Sequence, residues 1–438
     1  MGALYMIFYT GVTLGLLIFV HELGHFIAAK LTGMRVDRFS IGFPPRAFGR
    51  KIGDTDYCIS WLPLGGYVKI AGMVDESMDT EFVNSAPQPW EFRARPMWAR
   101  ILVISAGVIM NVMLAVTIFS TIHYLRGEDS MNTTEVGYVQ EGSASRGAGL
   151  RGGDRFVSVN GAPVSTWEDV QQEVYIENMG RDLSLVVDRK GTPTTIEIRR
   201  PPSTGFSMET LGFYVGHSVS FIQTVQQGMP AESLGLRQGD TLLAIASIRI
   251  ESRQQIIEIL RANPGKPVEV RWKRGDATLS GTVVVNDSGK IGVGLVSVYR
   301  GPLRHTDYSG VEAIGEGARE AGETVRLFAL TIRKIVVGEA SVQQSFGGPI
   351  AIAQLATQSA EYGLLAFLWF MAQLSMSLAI LNILPIPALD GGHLVLLVIE
   401  KAIRREIPHR VKIAVQQVGF ILLLAFMAFV IYNDISRF

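Results

Sequence analysis

Four stretches of the chain carry almost no charge. Residues 1–20 hold none, and the apolar character runs on past Glu22 to Ala29. Ile101 to Leu125 is the second such run. Tyr362 to Leu389 is the third, bounded by Glu361 and Asp390, and Ile413 to Asn433 is the fourth, bounded by Lys412 and Asp434. Each exceeds the roughly 18 apolar residues that mark a membrane-crossing helix. One such run can be the buried helix of a soluble core; four in one chain predict four membrane spans. The first has no basic start and no small-residue cleavage site, so it reads as a retained span rather than a removable leader.

Between the second and third runs the pattern changes to short alternating apolar stretches, and it does so twice. GSASRGAGLRGGDRFVSVNG opens at Gly142, and GMPAESLGLRQGDTLLAIAS opens 86 residues later at Gly228. The shared core Gly-Leu-Arg-x-Gly-Asp occupies Gly149 to Asp154 and Gly235 to Asp240. Phe156, Val157 and Val159 follow the first copy; Leu242, Leu243 and Ile245 follow the second. This is a helix end, a turn in which Gly supplies positive φ and Asp caps, then a strand. A short amphipathic helix (Trp167 to Asn178; Arg253 to Ala262) and a β-rich stretch (Leu183 to Val187; Val268 to Trp272) come next in each copy. Two agreeing copies predict two small α/β domains in tandem. Arg319 to Val337 reads as an amphipathic helix lying on the outer membrane surface.

Composition agrees with the membrane reading. Of 438 residues only 18% are charged, and the mean hydropathy is +0.26; soluble domains average roughly 25% charged. Lys and Arg number 40 against 40 Asp and Glu, which argues against nucleic acid as a partner. A single cysteine, Cys58, excludes an intrachain disulfide and a Cys-rich zinc module. Orientation follows from the loops. Lys401, Arg404, Arg405, Arg410 and Lys412 face only Glu400 and Glu406 between the third and fourth runs, which places that link in the cytoplasm. Residues 30–100, with ten Lys and Arg against eight acids, lean the same way. Both termini and the long 126–361 stretch then face outward, which in a bacterial inner membrane is the periplasm.

The candidate chemistry lies inside the first run. His21-Glu22-Leu23-Gly24-His25 is His-Glu-x-x-His. On a helix, positions i and i+4 share a face, so the two imidazoles can hold one Zn²⁺ while the Glu takes a proton from water. A carboxylate near the bilayer centre costs about 2.5–3.5 kcal/mol, so a membrane helix carrying these groups within five residues needs a functional reason. Catalytic zinc usually takes three protein ligands and keeps one open position. The third run offers Asn382-Ile383-Leu384-Pro385-Ile386-Pro387-Ala388-Leu389-Asp390-Gly391-Gly392-His393, a helix broken by two prolines and two glycines. Broken helices are tolerated in a membrane where they line a cavity. Asp390 is the only carboxylate between Glu361 and Glu400; His393 competes with it for the third place.

The tandem copies resemble PDZ domains of the bacterial protease-associated kind. Leu211-Gly212-Phe213 either forms a carboxylate-binding loop in the second copy or simply starts a strand. His-Glu-x-x-His in the first run, the paired domains, and Asn-x-x-Pro-x-Pro-x-Leu-Asp-Gly in the third together resemble the site-2 protease family of intramembrane zinc metalloproteases, over essentially the whole chain. One departure is visible: the family often has Gly-Pro-x-x-Asn in its second span, whereas Gly107-Val108-Ile109-Met110-Asn111 lacks the proline. Asn111 then reads as a buried polar group for helix packing.

The resemblance implies that Asp390, rather than His393, joins His21 and His25 on Zn²⁺, with Glu22 as the proton-transfer group. It implies single-span membrane proteins as substrates, of the anti-sigma-factor type after trimming on their outer side, and leftover signal peptides. It implies a membrane-associated β-hairpin within residues 40–72 (Tyr57 to Trp61, Tyr67 to Ile70) that clamps substrate by strand addition. Gly65 and Gly66, beside Tyr67, would let backbones approach, and Asn382 would hydrogen-bond an extended substrate. The PDZ pair would bind peptides or exclude untrimmed proteins by size.

The expected architecture is a polytopic α-helical membrane protein with membrane lipid around it and two PDZ-like α/β domains between spans two and three. Its parts are 1–31, the first span; 32–96, the hairpin loop; 97–125, the second span; 126–205 and 206–300, the PDZ domains; 301–361, an amphipathic helical region; 362–400, the third segment; 401–412, a loop; and 413–433, the fourth span. Two other classes compete: a membrane scaffold whose PDZ pair binds peptides and whose metal is structural or absent, and a metal transporter using the same ligands, which the scarcity of other intramembrane charges disfavours.

Overall fold

The computed structural model describes residues 2–73, 86–178, 181–199, 211–337 and 347–436. They form two units: Met1–Gly127 with Asp307–Phe438, and Glu128–Thr306. Parts of four expected regions (74–85, 179–180 with 200–205, 206–210, and 338–346) lie outside the described residues.

Among the described residues of the first unit, four helices are long and apolar enough to cross a membrane: Leu4–Leu31, Met97–Arg126, Leu364–Ile383 and Arg410–Ser436. They lie on the four uncharged runs. The third segment, 362–400, is broken where its prolines and glycines fall, into two helices, Leu364–Ile383 and Asp390–Ile403. Pro385 and Pro387 sit in the break, where helical hydrogen bonds cannot continue, and Ala388 takes a positive φ of 76°. Gly391 allows the chain to double back: a Cβ there would stand 2.6 Å from the Ile383 carbonyl carbon.

The β structure after the first span is larger than a simple hairpin. Strands Val36–Ile52 and Thr55–Ile70 are antiparallel. Both bend, so Arg38 pairs with Lys69 on one side and Asp56 on the other, while Lys51 also pairs with Asp56. The result is four passes, with the Gly66–Ile70 pass at one edge. Phe39, Val68 and Ile70 are buried against Ala28, Ala29 and Val103.

The helix expected to lie on the membrane surface from Arg319 begins at Gly310 and runs to Val337. Its first half is instead docked on the membrane helices. Ala313, Gly317 and Ala321 form a buried stripe of small residues, and a Cβ on Gly317 would come within 2.6 Å of the Ser120 amide nitrogen. Glu320 accepts from His123 (3.0 Å) and Trp369 (2.6 Å), one residue on each of two spans. Small side chains explain the difference: they let helices approach closely while adding little to an apolar pattern. Exposed apolar side chains lie on the other faces along its length: Val311 and Ile314 near the start, Val325, Leu327 and Val336 further on.

The second unit contains the two repeats, each with its own core. Phe156, Trp167, Leu183, Leu185 and Ile198 are buried in the first, and Leu242, Ile256, Val270, Trp272 and Val283 in the second. The first sheet runs Ala162–Pro163, Arg155–Val159, Leu183–Arg189, Thr192–Ile198 in spatial order. The second has the same sequence of neighbours, with Ser218–Val225 and Val293–Tyr299 added. The helices start on equivalent caps, Thr166 and Ser252, but the first turns into a π-helix over Gln172–Glu177.

One boundary moves. Leu211-Gly212-Phe213, expected in the second copy, belongs to the first. Leu211 and Phe213 lie in its core, and Phe213–Val215 pairs with Val136–Val139. The second copy has its own counterpart: Gln140 N–H donates to Gly212 O in the first, and Gln226 N–H to Gly292 O in the second. A closing strand of each repeat thus comes from the end of its own sequence, and that of the first lies beyond the expected join at 205/206. Likewise Leu303–Thr306 pairs with Glu128–Met131 and closes this unit rather than starting the next helical region.

Candidate metal centre and active site

His21 and His25 project from one face of the first membrane helix, their rings edge to face with centroids 4.8 Å apart. Their Nε2 atoms are 3.1 Å apart. Asp390, the first residue of the helix after the Pro break, brings Oδ2 to 3.2 Å from His21 Nε2 and 3.5 Å from His25 Nε2. A tetrahedral metal with bonds of ~2.0–2.2 Å needs donor atoms roughly 3.3 Å apart, so the triangle has the size of one face of such a polyhedron. Asp390 Oδ2 is buried and, among the described residues, has no hydrogen-bond donor beyond the two imidazole nitrogens beside it. A buried carboxylate oxygen left without a donor is costly unless a cation satisfies it. Two imidazoles and one carboxylate form a donor set suited to Zn²⁺.

The second membrane helix positions the pair. The carbonyl oxygen of Val103 accepts from His25 Nδ1 at 2.8 Å, which leaves Nε2 free to ligate. Gly107 packs directly under both rings: a Cβ there would stand 2.7 Å from His21 Nε2. Gly24 lets the helices cross in the opposite direction, its missing Cβ lying 2.8 Å from Met110 Cγ. Asn111, wholly buried, reaches His21 Nδ1 with its carboxamide at 3.4 Å. The sequence reading gave Asn111 to packing and did not single out Val103 or Gly107 as site residues. Their signal is positional: Gly107 and Asn111 are one helical turn apart.

A cavity of about 250 Å³ collects the remaining candidates. Glu22, Asn382, Gly65, Gly66, Tyr67 and Val68 line it together with the three converging residues. The Val68 backbone N–H hydrogen-bonds the Glu22 carboxylate. Gly66 packs tightly here, its missing Cβ lying 3.1 Å from Glu22 Cγ. The Gly66–Ile70 edge therefore runs beside Glu22. Tyr67 is held from behind by Arg38, whose Nη1 donates to the phenol oxygen at 3.0 Å. His393 also lines the cavity but stands outside the converging trio. Gln416 Nε2 donates to its Nε2 at 2.9 Å.

Cys58 is buried, away from this site. The second unit also holds buried acids. Asp154 receives two bonds of 2.7 Å from Arg189 and one of 2.9 Å from the Arg151 N–H. Asp240 receives the same set from Arg274 and the Arg237 N–H. Burial pushes the Asp240 carboxyl up, but the Arg274 hydrogen bond and the Arg237 N–H more than offset this and hold it below the usual carboxylate range.

A His-Glu-x-x-His helix meeting an aspartate at a helix break, within a bundle of membrane-length helices, defines a membrane metallopeptidase. The chain belongs to peptidase family M50, the site-2 proteases, whose model matches residues 9–426. Among its relatives, "Putative zinc metalloprotease NMA0084" of Neisseria meningitidis is 34% identical, covering 96% of this chain and 97% of the relative. "Protease RseP" of Yersinia pestis is 31% identical and "Regulator of sigma-E protease RseP" of Salmonella typhimurium 29% identical, each match covering 97% of both chains. Of solved structures, the PDZ domain of an SdrC-like protein from Listeria monocytogenes matches 19% of this chain and 92% of that domain, with 24% identity and a TM-score of 0.17.

Proposed function

We propose that this peptidase is a zinc endopeptidase that cuts single-span membrane proteins within or near the bilayer, in the manner of regulated intramembrane proteolysis. The observation that carries the proposal is the meeting of His21, His25 and Asp390 in one cavity with Glu22 and a glycine-rich strand edge. His21, His25 and Asp390 hold Zn²⁺. When bound, the metal supplies Lewis acidity that brings water deprotonation toward neutral pH. Glu22 accepts the proton and returns it to the leaving amine; the Val68 N–H fixes its carboxylate for both transfers.

A substrate helix has every carbonyl engaged in hydrogen bonds, so it must unwind first. The freed backbone then needs partners where water is scarce. The edge at Gly65, Gly66 and Tyr67 offers strand addition, and the Asn382 carboxamide, which lines the same cavity, offers a further hydrogen bond. The physiological substrates are of the anti-sigma-factor type and leftover signal peptides, which places the enzyme in a stress response. The enzyme sits in a bacterial inner membrane with both termini and the Glu128–Thr306 unit in the periplasm. That unit is a PDZ pair that rejects proteins still carrying a folded outer domain, with peptide binding as its second capacity.

Mass spectrometry of the products of a single-span substrate tests the reading. A cut inside the substrate's apolar segment is expected; cuts confined to its soluble tails would overturn it. Deleting residues 130–300 should admit substrates with an intact outer domain, and continued rejection would remove the size-filter role while leaving the peptidase itself standing.

A further inference from the structure

The two histidines of the centre are oriented by different devices. His25 has a backbone partner, the Val103 carbonyl, fixed by the helix itself. His21 has a side chain: the polar group facing its Nδ1 is the Asn111 carboxamide, 3.4 Å away. Asn111 is 0% exposed, and its Oδ1 is buried with no hydrogen-bond partner among the described residues.

The chemistry of ligation decides which way that amide must point. His21 Nε2 faces Asp390 and His25, so a neutral imidazole ligating through Nε2 carries its proton on Nδ1. The group opposite Nδ1 must then accept a hydrogen bond. A carboxamide nitrogen cannot accept; a carboxamide oxygen can, and a half-turn about the terminal bond exchanges the two. We propose that Asn111 is a positioning residue of the metal centre, its Oδ1 accepting the Nδ1–H of His21 and so fixing the tautomer and ring plane that present Nε2 to the metal. The main chain holds Asn111 in place for this. Ser375 Oγ, on the third membrane helix, donates to its backbone carbonyl at 2.8 Å, a bond that any side chain at 111 leaves intact.

The inference rests on His21, His25 and Asp390 being the ligands, and the test separates the two claims. Full-length protein in detergent would be titrated with Zn²⁺ against a chromophoric chelator, comparing wild type, Asn111→Leu, Asn111→Asp and Asp390→Ala. Leucine matches the volume but cannot accept; aspartate restores an acceptor. Asn111→Leu should bind Zn²⁺ about 10–100-fold more weakly, and Asn111→Asp should stay within about threefold of wild type, the range expected when a ligand's outer partner is removed or replaced in kind. The visible spectrum of bound Co²⁺ should change in Asn111→Leu and persist in Asn111→Asp. Wild-type affinity in Asn111→Leu would overturn the proposal, and so would equal losses in both variants, which would mark a packing role. Should Asn111→Leu fail to fold, Asn111→Asp alone decides: retained affinity supports the role and a tenfold loss rejects it. Undiminished Zn²⁺ binding by Asp390→Ala would instead strike the ligand assignment.

Discussion

Asp390 and the pair Asp154 and Asp240 are all largely buried acids, yet their oxygens meet different partners. Asp154 and Asp240 each receive a forked arginine and a backbone N–H, with the same geometry in both repeats. The arginine also reaches the carbonyl of the repeat's glycine, Gly149 or Gly235, so one pair pins the turn to the neighbouring strand. Among the described residues no arginine reaches Asp390, and its Oδ2 faces only the two imidazole nitrogens. A protein interior seldom leaves a carboxylate in that condition. The difference separates a structural acid, whose demands the fold meets, from a ligating acid, whose demands wait for a cation.

The largest effect should come from removing the waiting acid. Asp390→Ala should abolish stoichiometric Zn²⁺, measured by elemental analysis of purified protein, with little change in helix content. Glu22→Gln should keep the metal and lower the cleavage rate by about 10²–10⁴-fold, the usual worth of a positioned acid–base group. Gly107→Ala sharpens the contrast from the neighbouring helix. Its methyl would intrude on both imidazoles, so Zn²⁺ should bind more weakly and stability should drop by about 1–3 kcal/mol, read by chelator competition and thermal unfolding.

The structural acids should behave in the opposite way. Asp240→Ala should leave Zn²⁺ content at the wild-type level and destabilise the second repeat by about 1–3 kcal/mol, the cost of leaving bonded groups unmatched, seen as a lower calorimetric transition. Acid should imitate that substitution. Because the folded Asp240 carboxyl lies below its unfolded value, its contribution is fully present well above an unfolded pKa of about 3.9 and is lost as pH falls through the folded value. Asp169 in the first repeat behaves alike. Burial pushes it up, but the hydrogen bonds from Ser165 and Thr166 more than offset this and hold it low. Both repeats should hold their transition temperatures above about pH 5 and lose them progressively below about pH 4. A flat profile down to pH 3 would contradict this part of the account.

The membrane helices and the trio His21, His25 and Asp390 were legible in the sequence because each leaves a one-dimensional mark. Uncharged runs of membrane length have few other uses, i and i+4 histidines fall on one face, and Asp390 stands alone between distant acids, although only the family resemblance set it above His393. Asn111 and Val103 left fainter marks: one is a single polar residue in an apolar helix, and the other acts through a backbone oxygen that every residue possesses. Arg189 and Arg274 also carry a mark, since each follows its turn aspartate by about the same interval in both copies, but it lies outside the glycine core that defines the repeat. The misplacement of Leu211-Gly212-Phe213 has a similar origin. The two repeats differ in the length of chain before their closing strands, so the constant offset fails there. The helix Gly310–Val337 was misjudged because its buried stripe is alanine and glycine, residues that add little to an apolar pattern and much to close packing.

The most direct measurement is cleavage of a detergent-solubilised single-span substrate by purified wild type, Glu22→Gln and Asp390→Ala protein, each with and without a zinc chelator. The account predicts product from wild type alone, its loss on chelation, and its return when Zn²⁺ is restored. Equal product from Asp390→Ala, or cleavage that survives chelation, would contradict the claim that the acid left without a donor is where the metal and the chemistry reside.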